Sequence, residues 1–202
     1  MTTTPLPGPR VHTCLWFDGR IDEAADFYVS LIPGSRILAR TQYEAGGGPP
    51  DGPDMTGQPL TVDLELGGIP YTLLNGGPAF PLSEAVSIVL TVQTQEEVDR
   101  LWEALIADGG EPSQCGWCRD RFGLSWQVVP QRLNELLAGP GAEGAMREMM
   151  TQTKLDIARL EAAAADSPGS ERPAQALGRS SSASMTRMPL GPRRYVRRYT
   201  SS

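Results

Sequence analysis

The chain has 202 residues, a formal charge of −6 and three cysteines, which suits one domain with an appendage and is too little cysteine for a disulfide scaffold. No stretch approaches the roughly 20 apolar residues of a membrane helix, and positions 1–10 lack the apolar segment of a signal peptide. We therefore expect a cytoplasmic protein that does not enter a membrane.

Charge is distributed unevenly along the chain. Residues 166–202 contain seven arginines against Asp166 and Glu171, a charge of +5, which leaves −11 for residues 1–165. The folded part is therefore acidic, and an acidic surface is unfavourable for nucleic acid. We expect no binding to DNA.

The first half predicts a strand, a helix and further strands. An apolar run from Val11 to Phe17 is typical of a strand, and a helix face follows at Ala24, Phe27, Tyr28 and Leu31. Pro33 and Gly34 end this helix. Strand-like segments at 60–66 and 71–75 complete the half.

The second half repeats this pattern. A strand at Val86–Val92 precedes a capping-box pair, Thr94 and Glu97, and a helix face at Val98, Leu101, Trp102 and Leu105. A last strand is predicted at 124–129. The two units align at a constant offset of 74 residues, which places Leu15 on Val89 and indicates an internal repeat.

Three segments lie outside this repeat. The Gly/Pro-rich stretch 45–54 predicts a long mobile loop. Residues 142–165 predict a methionine-rich C-terminal helix, and residues 166–202 predict a disordered tail because they cannot bury enough apolar surface. Arginine and tyrosine alternate near the end of the tail, which suits contact with RNA or a partner protein.

Several motifs carry a family resemblance. They are Cys14-Leu-Trp-Phe-Asp-Gly, Phe27-Tyr28, Leu74-Asn-Gly-Gly-Pro, Gln114-Cys-Gly-Trp and Asp120-Arg-Phe-Gly-Leu-Ser-Trp-Gln-Val-Val-Pro. Over residues 10–165 the chain resembles the PhnB-like branch of the vicinal oxygen chelate superfamily, which includes glyoxalases, bleomycin-resistance proteins and extradiol dioxygenases. Members of this branch often carry the label 3-demethylubiquinone-9 3-methyltransferase.

The resemblance implies an α+β fold. Two βαβββ modules, at about 10–78 and 83–130, would form a curved mixed sheet around a cleft, with the other sheet face covered by helices. Residues 1–9 would be a flexible N-terminus. The resemblance also implies a homodimer.

The superfamily's metal enzymes are similar in taking one His or Glu ligand from each of four strands. The resemblance aligns those positions with Thr13, Asn75, Ser87 and Gln127. Neutral hydroxyls and amides are poor ligands for zinc, iron or nickel, so we expect no metal and no other cofactor. His12, the only histidine, should point away from Thr13 along an alternating strand, although a slip of one residue would reverse this.

Indole and amide side chains suit a pocket for a planar or amphipathic small molecule. The candidate lining residues are His12, Trp16, Asn75, Gln114, Trp117, Trp126 and Gln127. Core packing would also explain Trp126. Asp120 and Arg121 are interpreted as residues that hold the loop before the last strand.

The favoured function is binding of a small organic ligand in the cleft between the modules, without the usual metal site. No catalytic residue is assigned. One alternative is a metal-dependent lyase, isomerase or dioxygenase with ligands drawn from His12, Asp63, Glu65 and Glu84. Another is a dimeric adaptor whose basic and aromatic tail binds RNA or a partner protein. A methyltransferase is not expected, because the sequence has no strand followed by a glycine-rich nucleotide loop.

Overall fold

The computed structural model of the protein describes residues 11–48 and 52–167. The predicted flexible N-terminus, the centre of the Gly/Pro-rich loop and nearly all of the predicted tail, with its RNA or protein contact, lie outside these residues. The described part is an α+β domain of two βαβββ modules, as predicted. Within it, no helix has the length and apolar character needed to span a bilayer.

Module 1 contains four strands and one helix. They are β1 (Thr13–Phe17), α1 (Ile21–Leu31), β2 (Arg36–Gln42), β3 (Pro59–Leu66) and β4 (Ile69–Asn75). The sheet order is β1-β4-β3-β2, in which β1 runs parallel to β4 and the other pairs are antiparallel. A register shift at Leu38 interrupts the pairing of β2 with β3.

Module 2 has the same connections. Its elements are β5 (Ser87–Val92), α2 (Gln95–Ile106), β6 (Glu111–Pro112), β7 (Trp117–Arg119) and β8 (Ser125–Pro130), with a 3-10 turn at Ala107–Gly109. The sheet order is β5-β8-β7-β6, and the parallel pair is again the first strand with the last. The two short strands β6 and β7 were not predicted from the sequence.

The two module helices begin differently. The capping box predicted for α2 is confirmed: the Thr94 hydroxyl accepts from the Glu97 amide at 3.2 Å, and the Glu97 carboxylate accepts from the Thr94 amide at 3.2 Å. α1 has no side-chain cap and instead follows Arg20, whose φ is 53°. Both helices bury the apolar faces that the sequence predicts.

Both modules share one hydrophobic core, which includes the module helices. Tyr28 on α1 packs on the ring of Trp126 on β8, with ring centroids 5.2 Å apart. Arg100 on α2 donates to the carbonyl of Leu31 at the end of α1, at 3.2 Å. One face of each sheet therefore packs on the helices, and we call the opposite face of each sheet its open face.

The repeat holds for the helices and fails by one residue for the strands. α1 and α2 begin 74 residues apart, at Ile21 and Gln95. Leu15 is 3% exposed, however, whereas Val89 is 52% exposed. The link before α1 has three residues and the link before α2 has two, so the strands correspond at an offset of 75. Leu15 matches Leu90, which packs against the core.

The C-terminal segment forms three short helices, α3 (Gln131–Leu137), α4 (Ala142–Met149) and α5 (Ile157–Ala165). The single helix expected over 142–165 is therefore two. The carbonyls of Gln152 and Thr153 accept from the amides of Cys115 and Gly116, each at 2.8 Å, so they do not bond within a helix. Asp156 then caps α5 through the Arg159 amide at 3.0 Å.

Candidate functional site

The open face of module 1 contains a cavity of about 560 Å³. Strand alternation brings polar side chains to this face, because Val62, Leu64 and Leu66 on β3 point to the helices. The residues that line the cavity are Val11, His12, Leu38, Asp63, Glu65, Pro70, Tyr71 and Thr72. Of the predicted pocket residues, His12 is the one found here.

Two carboxylates lie on this face in different surroundings. Asp63 is half-buried, and its Oδ1 accepts from the Thr72 hydroxyl at 2.6 Å. Glu65 forms an ion pair with Arg36 at 2.7 Å. Burial, and after it the negative charge of Asp63, raises the pKa of the nearby Cys14 thiol. The face is therefore acidic, and its thiol is not activated as a nucleophile.

The register places Thr13 away from this cavity. Thr13 pairs with Tyr71 and lies on the same side of β1 as the buried Leu15, whereas His12 and Cys14 lie on the open side. At the strand offset of 75, His12 rather than Thr13 corresponds to Ser87. The assignment of Thr13 to a metal position stays a prediction, and Thr13 lies on the helix side of β1.

The open face of module 2 has neutral polar side chains at the corresponding place. Gln127 on β8 donates from Nε2 to the Ser87 hydroxyl at 2.8 Å, and it pairs across strands with Val89 and Trp117. Trp117 borders a separate hollow of about 130 Å³ that Glu84 also lines. Two predicted metal positions thus bond to each other.

Asn75 has a structural environment. It is 4% exposed, its Oδ1 accepts from the Gly19 amide at 3.0 Å and its Nδ2 donates to the Pro59 carbonyl at 2.9 Å. Because both amide atoms are occupied in holding the β1–α1 turn and the start of β3, Asn75 is not positioned to bind a metal.

Trp16 lies beside the motif Leu74–Pro78, which contains Asn75. Its Nε1 donates to the Gly77 carbonyl at 2.7 Å, and its ring meets Phe80 edge-on at 5.0 Å. A Cβ on Gly76 would lie 2.2 Å from the Trp16 ring, so only glycine allows this contact. Trp16 lines a third hollow of about 380 Å³, separate from the module 1 cavity.

Trp126 and Gln114 are the remaining predicted pocket residues. Trp126 is fully buried and donates to Asp120 Oδ2 at 2.7 Å. Gln114 is exposed, and its carbonyl accepts from the Trp117 amide at 3.0 Å in a turn. The seven predicted residues therefore lie at separate places in the fold rather than around one cavity.

Asp120 holds the loop before β8, as the sequence indicated. Its two oxygens accept from the amides of Phe122 and Leu124 and from the side chains of Tyr28 and Trp126, at 2.7–3.1 Å. Burial raises the pKa of this carboxyl, and the four hydrogen bonds act in the opposite direction. Asp120 thus joins α1 of module 1 to β8 of module 2.

The Cys115–Cys118 pair lacks the environment of a redox motif. Cys118 is buried, and desolvation followed by the charge of Asp120 raises its pKa from an ordinary 9.0 to about 12. The Sγ of Cys115 instead lies 3.6 Å from the Sδ of Met150. A thiol with such a high pKa remains protonated and unreactive at neutral pH.

The open face of module 1 carries residues of metal-ligand type, namely His12, Asp63 and Glu65. Within residues 11–48 and 52–167, no three His, Cys, Asp or Glu side chains are grouped closely enough to hold a metal ion. Thr13, Asn75, Ser87 and Gln127 do not fit a transition metal, because they offer neutral oxygen or nitrogen atoms that are turned away or hydrogen-bonded.

Two βαβββ modules, each closed by a parallel pairing of its first and last strands and with one open sheet face, define a protein of the vicinal oxygen chelate superfamily. Within it, the chain belongs to the PhnB-like family whose model is described as 3-demethylubiquinone-9 3-methyltransferase, which matches residues 9–129. No curated protein matches the sequence significantly.

Three solved structures are similar to this chain, and the first of them shows the same fold. A PhnB protein from Bacillus cereus is 26% identical with a TM-score of 0.53, over 60% of this chain and 99% of that chain. Protein PA1353 from Pseudomonas aeruginosa is 25% identical with a TM-score of 0.48, over 61% and 98%. The fosfomycin resistance protein FosX from Listeria monocytogenes is 14% identical with a TM-score of 0.42, over 64% and 98%.

Proposed function

We propose that this protein binds a small organic ligand in the cavity on the open face of module 1, without using the superfamily's usual metal positions. The cavity carries the proposal, because its volume of about 560 Å³ lies in the range of small-molecule sites. It combines apolar walls, such as Leu38 and Pro70, with the polar groups of His12, Asp63 and Thr72. The family's methyltransferase label is not extended to this chain, which lacks a glycine-rich nucleotide loop.

A ligand screen with two matched variants tests this proposal. Leu38 is 51% exposed and lines the cavity, and Met146 is 45% exposed on α4, which packs on α3 and α5. Leu38→Trp should fill the cavity, whereas Met146→Trp adds similar bulk outside both open faces. Fragments found by saturation-transfer NMR should lose binding to Leu38→Trp and keep it with Met146→Trp. Equal binding to Leu38→Trp and the natural chain would contradict the proposal.

We further propose a homodimer in which the open faces are covered. Support comes from large apolar side chains exposed around them, Val11 at 86%, Leu38 at 51% and Val89 at 52%. The ligand would then bind in a cleft between modules of two copies. Light scattering should give twice the chain mass, and Val89→Glu should shift the protein toward the monomer. A natural chain that is monomeric at micromolar concentration would contradict the dimer.

A metal-dependent lyase, isomerase or dioxygenase is the second candidate, because His12, Asp63 and Glu65 line the same cavity. Glu84, the fourth ligand considered, borders a different hollow. Inductively coupled plasma mass spectrometry after incubation with nickel, zinc, manganese and iron separates the candidates. Near-stoichiometric metal that is lost in His12→Ala would favour the enzyme. Absence of retained metal would favour binding without a metal.

We also propose that the protein acts in the cytoplasm. Its three cysteines are all free thiols, and one of them is buried in the core. This state suits a reducing compartment. Immunolocalisation with fractionation provides the test, and recovery of the protein outside the cytoplasmic fraction would contradict the assignment.

A further inference from the structure

The two carboxylates of the module 1 cavity differ in their partners. Glu65 is paired with Arg36 at 2.7 Å. Asp63 accepts only the Thr72 hydroxyl, at 2.6 Å, and no cationic side chain among the described residues forms an ion pair with it. Its other oxygen, Oδ2, has no hydrogen-bond donor within the same part of the chain. Asp63 is thus a half-buried negative charge with capacity for a donor.

The partners of Asp63 differ from those of several carboxylates nearby. Three other carboxylates of module 1 are paired with arginines, as Arg40 pairs with Asp22 and Asp26, and Arg20 pairs with Glu23 at 2.7 Å. A half-buried carboxylate without a counter-ion has an unfavourable free energy that a bound cation would lower. The net charge of −11 over residues 1–165 also attracts cations toward the open faces.

The walls around Asp63 define the rest of the ligand. Leu38 projects to the cavity at the register shift of β2, and Val11 and Pro70 lie on the same side. A ligand with a charged end at Asp63 can therefore place an apolar body against these side chains.

We propose that the cavity selects organic cations, amines or guanidines with an apolar body, and that Asp63 receives the charged group. This inference rests on the proposed function, because it names the class of ligand for the same cavity. The cation would donate to Asp63 Oδ2, while Thr72 continues to donate to Oδ1 and so holds the carboxylate in place. No covalent bond forms or breaks when the ligand binds.

Three ligands of one shape test the selectivity: 4-phenylbutylamine, 4-phenylbutanol and 4-phenylbutyrate. Isothermal titration calorimetry with the full chain should show the amine binding about tenfold to a hundredfold more tightly than the alcohol, because a hydrogen bond to a charged group is stronger than a neutral one. The carboxylate should bind more weakly than the alcohol. Added salt should weaken the binding of the amine and of neither other ligand.

Asp63→Asn is the decisive variant, since it keeps an acceptor for Thr72 and removes the charge. This variant should reduce the affinity for the amine to that for the alcohol and leave the affinity for the alcohol unchanged. Asp99→Asn on α2, outside the cavity, is the matched control and should change neither. Thermal unfolding of both variants confirms folding before binding is compared.

The outcomes separate the class of ligand from the function. Equal affinity for amine and alcohol in the natural chain, or an unchanged amine affinity in Asp63→Asn, overturns the cation proposal and leaves ligand binding intact. If none of the three compounds binds while screened fragments do bind in the cavity, the cation proposal is again overturned. If no fragment binds either, both proposals fail.

Discussion

Modules 1 and 2 have the same connections but different open faces. Their helices start 74 residues apart and bury equivalent faces, and each sheet is closed by a parallel pairing of its first and last strands. Asp63, Glu65 and His12 border the open face of module 1, whereas Ser87 and Gln127 bond to each other on module 2. The repeat therefore preserves the residues that pack and leaves the open faces free to differ in chemistry.

Removing the contact that joins the modules should have the largest effect on stability. Asp120→Ala deprives the buried Tyr28 hydroxyl and Trp126 indole of their acceptor, so unfolding should require about 4 kcal/mol less free energy. Urea denaturation measures the change. Asp99→Ala removes an exposed ion pair with Lys154 and should cost under about 1 kcal/mol. Similar losses in both variants would show that the modules do not depend on Asp120.

The difference between the helix offset of 74 and the strand offset of 75 should give the next largest effect on stability. Leu15→Ala creates a cavity in the core and should cost about 3 kcal/mol, whereas Val89→Ala, at the helix offset of 74, should cost under about 1 kcal/mol. Denaturant titration of both proteins makes the comparison. Equal losses of stability in the two variants would contradict the offset of 75 and favour an offset of 74 for the strands.

Adding a single methyl group within the Leu74–Pro78 motif should destabilise the protein. Gly76→Ala places a methyl group against the Trp16 ring and should cost about 2 kcal/mol. Gly139→Ala adds the same group where the nearest atom lies 3.4 Å away, so its effect should be near zero. Indole fluorescence and thermal unfolding report both changes. A neutral Gly76→Ala would mean that Trp16 moves without cost.

Alkaline pH should reveal the environment of the Cys118 thiol through the pH dependence of stability. Its folded pKa, about 12, lies above the ordinary 9.0, so the thiol ionises in the unfolded chain first. This contribution to stability is present below pH 9 and is lost as pH rises toward 12. Cys118→Ala should lower overall stability and flatten this alkaline slope. Cys14→Ala provides the comparison, and an unchanged slope in Cys118→Ala would contradict the prediction.

The pattern of β3 shows how much of the site could have been found from the sequence. Val62, Leu64 and Leu66 alternate with Thr61, Asp63 and Glu65, which indicates one packed and one polar face. From the sequence, Asp63 and Glu65 are candidates only as metal ligands of the alternative function. The sequence does not predict β2, because its side chains are mostly exposed and show little apolar alternation.

The sequence by itself determined the family, the two modules and the helix faces, because apolar periodicity and capping residues act locally. Only the tertiary structure decided which strand faces are open. A link that is one residue shorter before α2 reverses the alternation of β5 relative to β1, since successive side chains of a strand point to opposite faces. With that shift, His12 rather than Thr13 corresponds to Ser87, and Ser87 bonds to Gln127 on the open face of module 2. No local sequence pattern records this difference.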